Sequence, residues 1–217
     1  MNSGGTMLRF REGSPLTAGR AGLLPGVFNP PTLAHVAMAQ EGRAQHDLDQ
    51  VVFVLPEAFP HKDYQGAEFE DRLAMLRAGV AGNEGYDVAS SDKGLFIDIA
   101  RQAKNAYGPG VEICLICGRD AAERIVGWDY GKGPTFAEQL EEFQLLVASR
   151  RGAYCVPAEH ANRIHMIDLP VSFDAVSSTR IRETVSEGGA FEEWVDRRVA
   201  EVIQRRGLYR RQAETAK

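Results

Sequence analysis

The sequence predicts an α/β fold: a Rossmann-like, doubly wound parallel sheet with a small C-terminal helical appendage. Two observations carry the sheet. Short Val, Ile and Leu runs recur without polar alternation, and helix-like segments separate them. Unbroken apolar runs suit strands covered on both faces, and strand alternating with helix implies right-handed crossovers into a parallel sheet. A third observation carries the appendage: beyond residue 169 the strand pattern stops and only helical periodicity continues.

In chain order, strands are expected at 21–25, 51–56, 86–90, 111–117, 144–149 and 163–169. Helices are expected near 33–43, 67–81, 95–106 and 119–126, with a short one near 136–142. A helix over about 179–186 should end at the Gly188-Gly189 pair, and another near 196–206 should stop at Gly207. The main domain therefore spans 21–210, with 170–210 as its helical part. Residues 1–20 read as a poorly ordered N-terminal extension, and 211–217 as a frayed tail.

Composition narrows the function. The 217 residues carry a net charge of −5, so any anion site must be local, and a nucleic-acid-binding surface is not expected. No run is long enough for a signal peptide or a membrane span, so a cytoplasmic protein without a membrane partner is expected. Self-association into a homo-oligomer stays open. Cys114 and Cys117 form a CxxC, but on a strand side chains three apart point to opposite faces, so two small buried hydrophobes are expected rather than a metal or redox pair. No metal-ligating set is expected elsewhere.

Open parallel sheets bind ligands at the carboxyl ends of their strands, and four segments there carry chemistry. PGVFNPPTLAH (25–35) offers Gly26 for close backbone approach, a rigid turn at Asn29-Pro30-Pro31, Thr32 as a helix cap, and His35 in the first helical turn. Thr32 and His35 could face one phosphate at a helix start, or cap an ordinary corner. After the second strand, Lys62 could neutralise a phosphate or be a solvated lysine, and Arg72 stands on the helix that follows. After the fourth, Gly118 permits close approach, and Asp120 either accepts from a ribose hydroxyl or caps its helix. Trp128 is a stacking platform or a packing residue. In VSSTRIRETV (176–185), Ser178 or Thr179 should cap a helix. Arg180 and Arg182 then stand in its first turn, where the dipole disfavours cations by roughly 0.3–1 kcal/mol each. A bound polyphosphate would reverse that sign.

In this order, these pieces resemble the nucleotidyltransferase superfamily with HxGH and ISSTxxR signatures, most nearly the bacterial nicotinate mononucleotide adenylyltransferases. PGVFNPPTLAH is similar to that family's GGxFDPxHxGH. FPHK with RLAML (72–76) is similar to PPHK with RLxML, GRD with Trp128 to GxD with Trp, and VSSTRIR to ISSTxIR. Thr32 stands where the first His is usual, Ala34 where Gly is, and Asn29 where Asp is. GLFIDIA (94–100) replaces SYTxDTL, keeping Asp98 without the Tyr and Thr.

The resemblance implies transfer of an adenylyl group from ATP, with Mg²⁺ carried by ATP, to a small mononucleotide, releasing pyrophosphate in NAD biosynthesis. By position, His35, Thr32 and Arg182 would be catalytic. The ATP site would comprise Gly26, Phe28, Asn29, His35, Gly118, Asp120, Ser178, Thr179 and Arg182. Lys62, Arg72, Trp128 and Arg150 would meet the acceptor. A phosphate oxygen is already ionised at neutral pH and needs no general base, so His35 is expected to donate to phosphate rather than shuttle a proton. The alternatives are a phosphopantetheine or cytidylyl-type transferase of the same superfamily, and a nucleotide-binding module without turnover.

Overall fold

The computed structural model describes residues 8–57, 66–149, 154–170, 173 and 175–210. Six strands run parallel: β2 (Gly19–Pro25), β3 (Gln50–Pro56), β4 (Tyr86–Ser91), β5 (Val111–Gly118), β6 (Gln144–Ser149) and β7 (Ile164–Asp168). A short strand, β1 (Arg9–Glu12), joins antiparallel to β4, giving the order β1-β4-β3-β2-β5-β6-β7. The chain winds outward from β2 through β3 to β4, returns to place β5 beside β2, then winds the other way. That reversal puts a topological switch point between the carboxyl ends of β2 and β5, where a doubly wound sheet opens a crevice.

The apolar runs behave as expected of doubly covered strands. Leu23, Val52, Val54, Ile113, Leu115, Cys117, Leu145 and Val147 pack under α3 (Phe96–Tyr107), α4 (Arg119–Val126) and α5 (Phe136–Gln139). Leu24, Val51, Phe53, Leu55, Cys114, Ile116 and Leu146 pack on the other face, beneath α1 (Leu33–Gln45) and α2 (Phe69–Val80). Cys114 and Cys117 thus fall in different cores. Burial pushes their thiols up to about 11 and about 12, which leaves both protonated and inert at neutral pH.

The appendage is α6 (Ser178–Ser186) and α7 (Arg197–Arg206), laid against the outer side of α2. Met75 of α2 is fully buried there among Ile181, Val185, Val199 and Ile203. The last helix ends as the sequence predicts, with Gly207 in the left-handed conformation.

One expectation fails. The first twenty residues are not a disordered extension over the part described, because residues 9–12 form an edge strand and Gly19 and Arg20 begin β2. Two contacts hold β1. Phe10 meets Tyr107 edge-on with ring centroids 5.9 Å apart, and Arg9 and Arg11 both reach Glu57 at 3.1 Å. Residues 1–7 and the tail at 211–217 lie outside the described residues. Among the described residues, no helix is long and apolar enough to cross a membrane.

Candidate active site

A cleft of about 580 Å³ opens at the switch point, a size suited to a small ligand. Its floor is Leu24, Pro25 and Gly26 from the end of β2, and Cys117 and Gly118 from the end of β5. Its walls carry His35, Asp120 and Trp128, so four of the predicted residues and Gly26 share one cavity.

The loop leaving β2 is built as a rigid unit. Phe28 has a left-handed backbone, φ +48°, which is costly for an aromatic residue and is held only because its surroundings fix it. Its ring is buried and meets His35 edge-on, with centroids 5.3 Å apart. Gly26 has a different reason from the one the sequence suggests. A Cβ there would lie 2.8 Å from the Phe28 ring, so the glycine makes room for a side chain rather than for a ligand. At Gly118 a Cβ would meet nothing within 4 Å, and that glycine does leave its backbone open to the cleft.

The loop's acceptors are held from three sides. Arg72 donates to the Val27 carbonyl at 3.2 Å, Arg182 to the Asn29 carbonyl at 2.8 Å, and Ser178 to the Pro30 carbonyl at 2.8 Å. Tyr209, near the end of the chain, donates its hydroxyl to Asn29 Oδ1 at 2.7 Å. Beneath the loop, Thr32 is buried, and its hydroxyl lies 2.8 Å from His35 Nδ1. The Thr32 backbone N–H also donates to that nitrogen, at 3.0 Å. Nδ1 is therefore an acceptor, the imidazole is neutral, and its remaining proton sits on Nε2 as a donor.

These contacts revise several expectations. Thr32 is 2% exposed, and its hydroxyl is turned onto His35 Nδ1. The side chains of Phe28 and Asn29, 1% and 6% exposed, shape the loop from within. Arg72 is 1% exposed and stands behind the loop, so it has no surface to offer an acceptor. Ser177, not Ser178 or Thr179, caps α6 by accepting from the Arg180 N–H at 3.2 Å. The helix consequently begins one residue earlier, and Arg182 stands in its second turn. The two arginines also part company. Arg182 bridges the Asn29 carbonyl and the hydroxyl of Thr179, while Arg180 lies 4.6 Å over the Trp194 ring, away from the loop. Lys62 and Arg150 lie outside the described residues.

The electrostatics of the loop end favour an anion. Two helices, α1 and α6, start beside the loop, and neither has an acidic residue in its first turn. α2, α3 and α4 each carry one or more there. Helix starts present N–H groups and a partial positive charge, so leaving out the usual carboxylate keeps both for a ligand.

The sequence pattern described as Cytidylyltransferase-like matches residues 23–184, about three-quarters of the chain. The chain belongs to that family. Among its relatives, a protein of Moorella thermoacetica named "Probable nicotinate-nucleotide adenylyltransferase" is 31% identical over 207 residues, covering 88% of this chain and 92% of the relative. One of the same name from Thermus thermophilus is 33% identical over 196 residues, covering 88% and 100%. A Plasmodium falciparum nicotinic acid mononucleotide adenylyltransferase, solved in complexes with APC and with NaAD, superposes with a TM-score of 0.67 at 15% identity, over 88% of this chain. At that identity the likeness speaks for the fold alone.

The far end of the cleft joins the predicted Trp128 to side chains given no role from the sequence. Leu95 is 49% exposed and Trp128 50%, and both line this cavity together with Phe96, Tyr130, Arg119 and Arg124. Leu95 lies in the loop between β4 and α3, and the strand-end rule applied to that loop would have found it. Arg124 stands four residues after Asp120 on the same helix, a spacing visible in the sequence.

Proposed function

We propose that this chain transfers the adenylyl group of ATP to the phosphate of nicotinate or nicotinamide mononucleotide, releasing pyrophosphate, as a step of NAD biosynthesis. The observation that carries the reading is the junction of α1 and α6 on the 26–32 loop. Two acid-free helix starts meet that loop, Arg182 holds its Asn29 carbonyl and His35 is fixed beneath it, beside a cleft whose other end carries Leu95 and Trp128 together with Arg119 and Arg124. Cytoplasm is the location this implies, since ATP is available there and reduced thiols such as Cys114 and Cys117 persist.

In this reading the triphosphate lies over the α1 start, and Gly118 lets the adenosine approach the end of β5. Asp120, with a side chain 79% exposed, accepts from ribose hydroxyls. An acceptor phosphate oxygen attacks the α-phosphorus, a new P–O bond forms there, and the bond to the β-phosphate oxygen breaks. The nucleophile is already ionised, so the chain's task is to align it and to stabilise charge on the α-phosphate and the leaving pyrophosphate. His35 donates through Nε2 and keeps its proton throughout. Thr179, at the start of α6, and Arg182, one turn further on, take up the charge of the departing pyrophosphate.

Among the described residues, no group of three His, Cys, Asp or Glu is arranged to hold a metal ion. Mg²⁺ would be carried on triphosphate oxygens with its own waters, the usual way this ion is held in nucleotide sites. When bound, it neutralises phosphate charge.

Pyrophosphate release tests the reading. The protein is incubated with ATP, Mg²⁺ and, separately, nicotinate mononucleotide, nicotinamide mononucleotide and phosphopantetheine. Release with a pyridine mononucleotide is expected. Release with phosphopantetheine alone, or with none of the three, would overturn it.

A further inference from the structure

We infer that Arg124 is a specificity-determining residue of the acceptor pocket, and that it selects a mononucleotide whose ring bears a carboxylate over one bearing a carboxamide. The inference rests on the function proposed above and extends it to the choice between its two acceptors.

Asp120 and Arg124 stand four residues apart on one face of α4, Trp128 follows just past its Gly127 cap, and all three line the cleft. Asp followed by Arg four residues later is a spacing that ordinarily forms an ion pair on a helix surface. Here no such pair forms. Asp120 instead has Arg119 within 3.8 Å, and Arg119 also reaches Glu123 at 3.5 Å. Arg124 is left exposed, with no ion pair or hydrogen bond to any described residue. Of the two cleft arginines, Arg119 is partly neutralised and Arg124 retains its charge for a ligand.

Its neighbours indicate which ligand group. Leu95 and Trp128 are the exposed large hydrophobic side chains of the described residues, and they occur in the same cleft. Tyr130 joins them, its hydroxyl fixed to the Ile125 carbonyl at 2.8 Å. Exposed apolar surfaces concentrated in one cavity suit a flat ring. A guanidinium one turn before the Trp is placed for a substituent on that ring. Arginine binds a carboxylate through two parallel N–H donors, while a carboxamide offers one oxygen acceptor and a repelled NH₂ donor.

A cation in the last turn of a helix also complements the helix dipole, so the test must separate selection from stability. Steady-state kcat/KM is measured with nicotinate and with nicotinamide mononucleotide for the wild type, Arg124→Gln and Arg124→Lys, with thermal melting in parallel. Arg197→Gln, an 87% exposed arginine far along the chain, controls for loss of one positive charge. The wild type is expected to prefer nicotinate mononucleotide. Arg124→Gln should lower the ratio of the two kcat/KM values about tenfold, mainly through KM for nicotinate mononucleotide. Arg124→Lys should lie between, because it keeps the charge without the fork. Arg197→Gln should keep the wild-type ratio. An unchanged ratio in Arg124→Gln overturns the inference, whatever its melting temperature. If the wild type uses neither pyridine mononucleotide, the proposed function itself falls, a result distinct from an unmoved ratio.

Discussion

The two ends of the cleft are made in opposite ways. At the loop end, Phe28, Asn29 and Thr32 are buried, the carbonyls of Val27, Asn29 and Pro30 are held by Arg72, Arg182 and Ser178, and His35 is fixed through Nδ1. At the α4 end, Leu95 and Trp128 stand half in solvent and Arg124 has no partner among the described residues. The loop end stores strain, with left-handed backbone at Phe28 and again at Tyr209, and these two residues flank Asn29. The contrast matches the division of labour in phosphoryl chemistry. Donors that stabilise developing charge work best when already in place, so their ordering is met during folding. A surface that only chooses a partner can remain open until the partner arrives.

Breaking the rigid end should have the largest consequences. Arg182→Ala removes both a cation assigned to the proposed phosphate site and the donor to the Asn29 carbonyl. Its kcat is expected to fall by roughly 10²–10³, the scale of losing one transition-state donor, as measured by pyrophosphate release. Tyr209→Phe keeps the ring but removes the donor to buried Asn29 Oδ1. It should cost about 0.5–1.5 kcal/mol of stability for the lost hydrogen bond, read by chemical denaturation, together with a smaller fall in kcat. Removing exposed apolar surface at the open end should act differently: Leu95→Ser should raise the acceptor KM about three- to tenfold through lost ring contact, with little change in melting temperature. The smallest effect is expected of Arg180→Gln. Its guanidinium lies over Trp194, a contact worth about 0.5–1 kcal/mol at an exposed site. The variant should melt slightly lower and turn over normally; a large fall in kcat would return Arg180 to the phosphate site.

Much of the scaffold was legible because sheet burial leaves a plain signature. QLLVAS and RDAAERIV coincide with β6 and α4, and the rule placing ligands beyond parallel strands located the cleft. Charged and glycine residues were harder to read. Arg72 looks like any surface cation in sequence, yet it is buried against Val27, a contact between segments 45 residues apart. Gly26 resembles a ligand-approach glycine, while its Cβ position is occupied by a ring two residues on. β1 was missed because four residues with two arginines carry no strand pattern; its order comes from Glu57 and Tyr107, distant in sequence. Arg124 was visible only as spacing until the structure showed which of two neighbouring arginines lacks a partner.

A crossed kinetic measurement tests the division of the cleft most directly, with KM for ATP and KM for the acceptor determined in both His35→Ala and Trp128→Ala. His35→Ala should lower kcat by roughly two orders of magnitude while leaving the acceptor KM within about twofold of the wild type. Trp128→Ala should raise the acceptor KM about tenfold, through the lost aromatic surface, and leave the KM for ATP unmoved. If Trp128→Ala weakened both substrates equally, or His35→Ala altered only the acceptor KM, the cleft would not be divided as described.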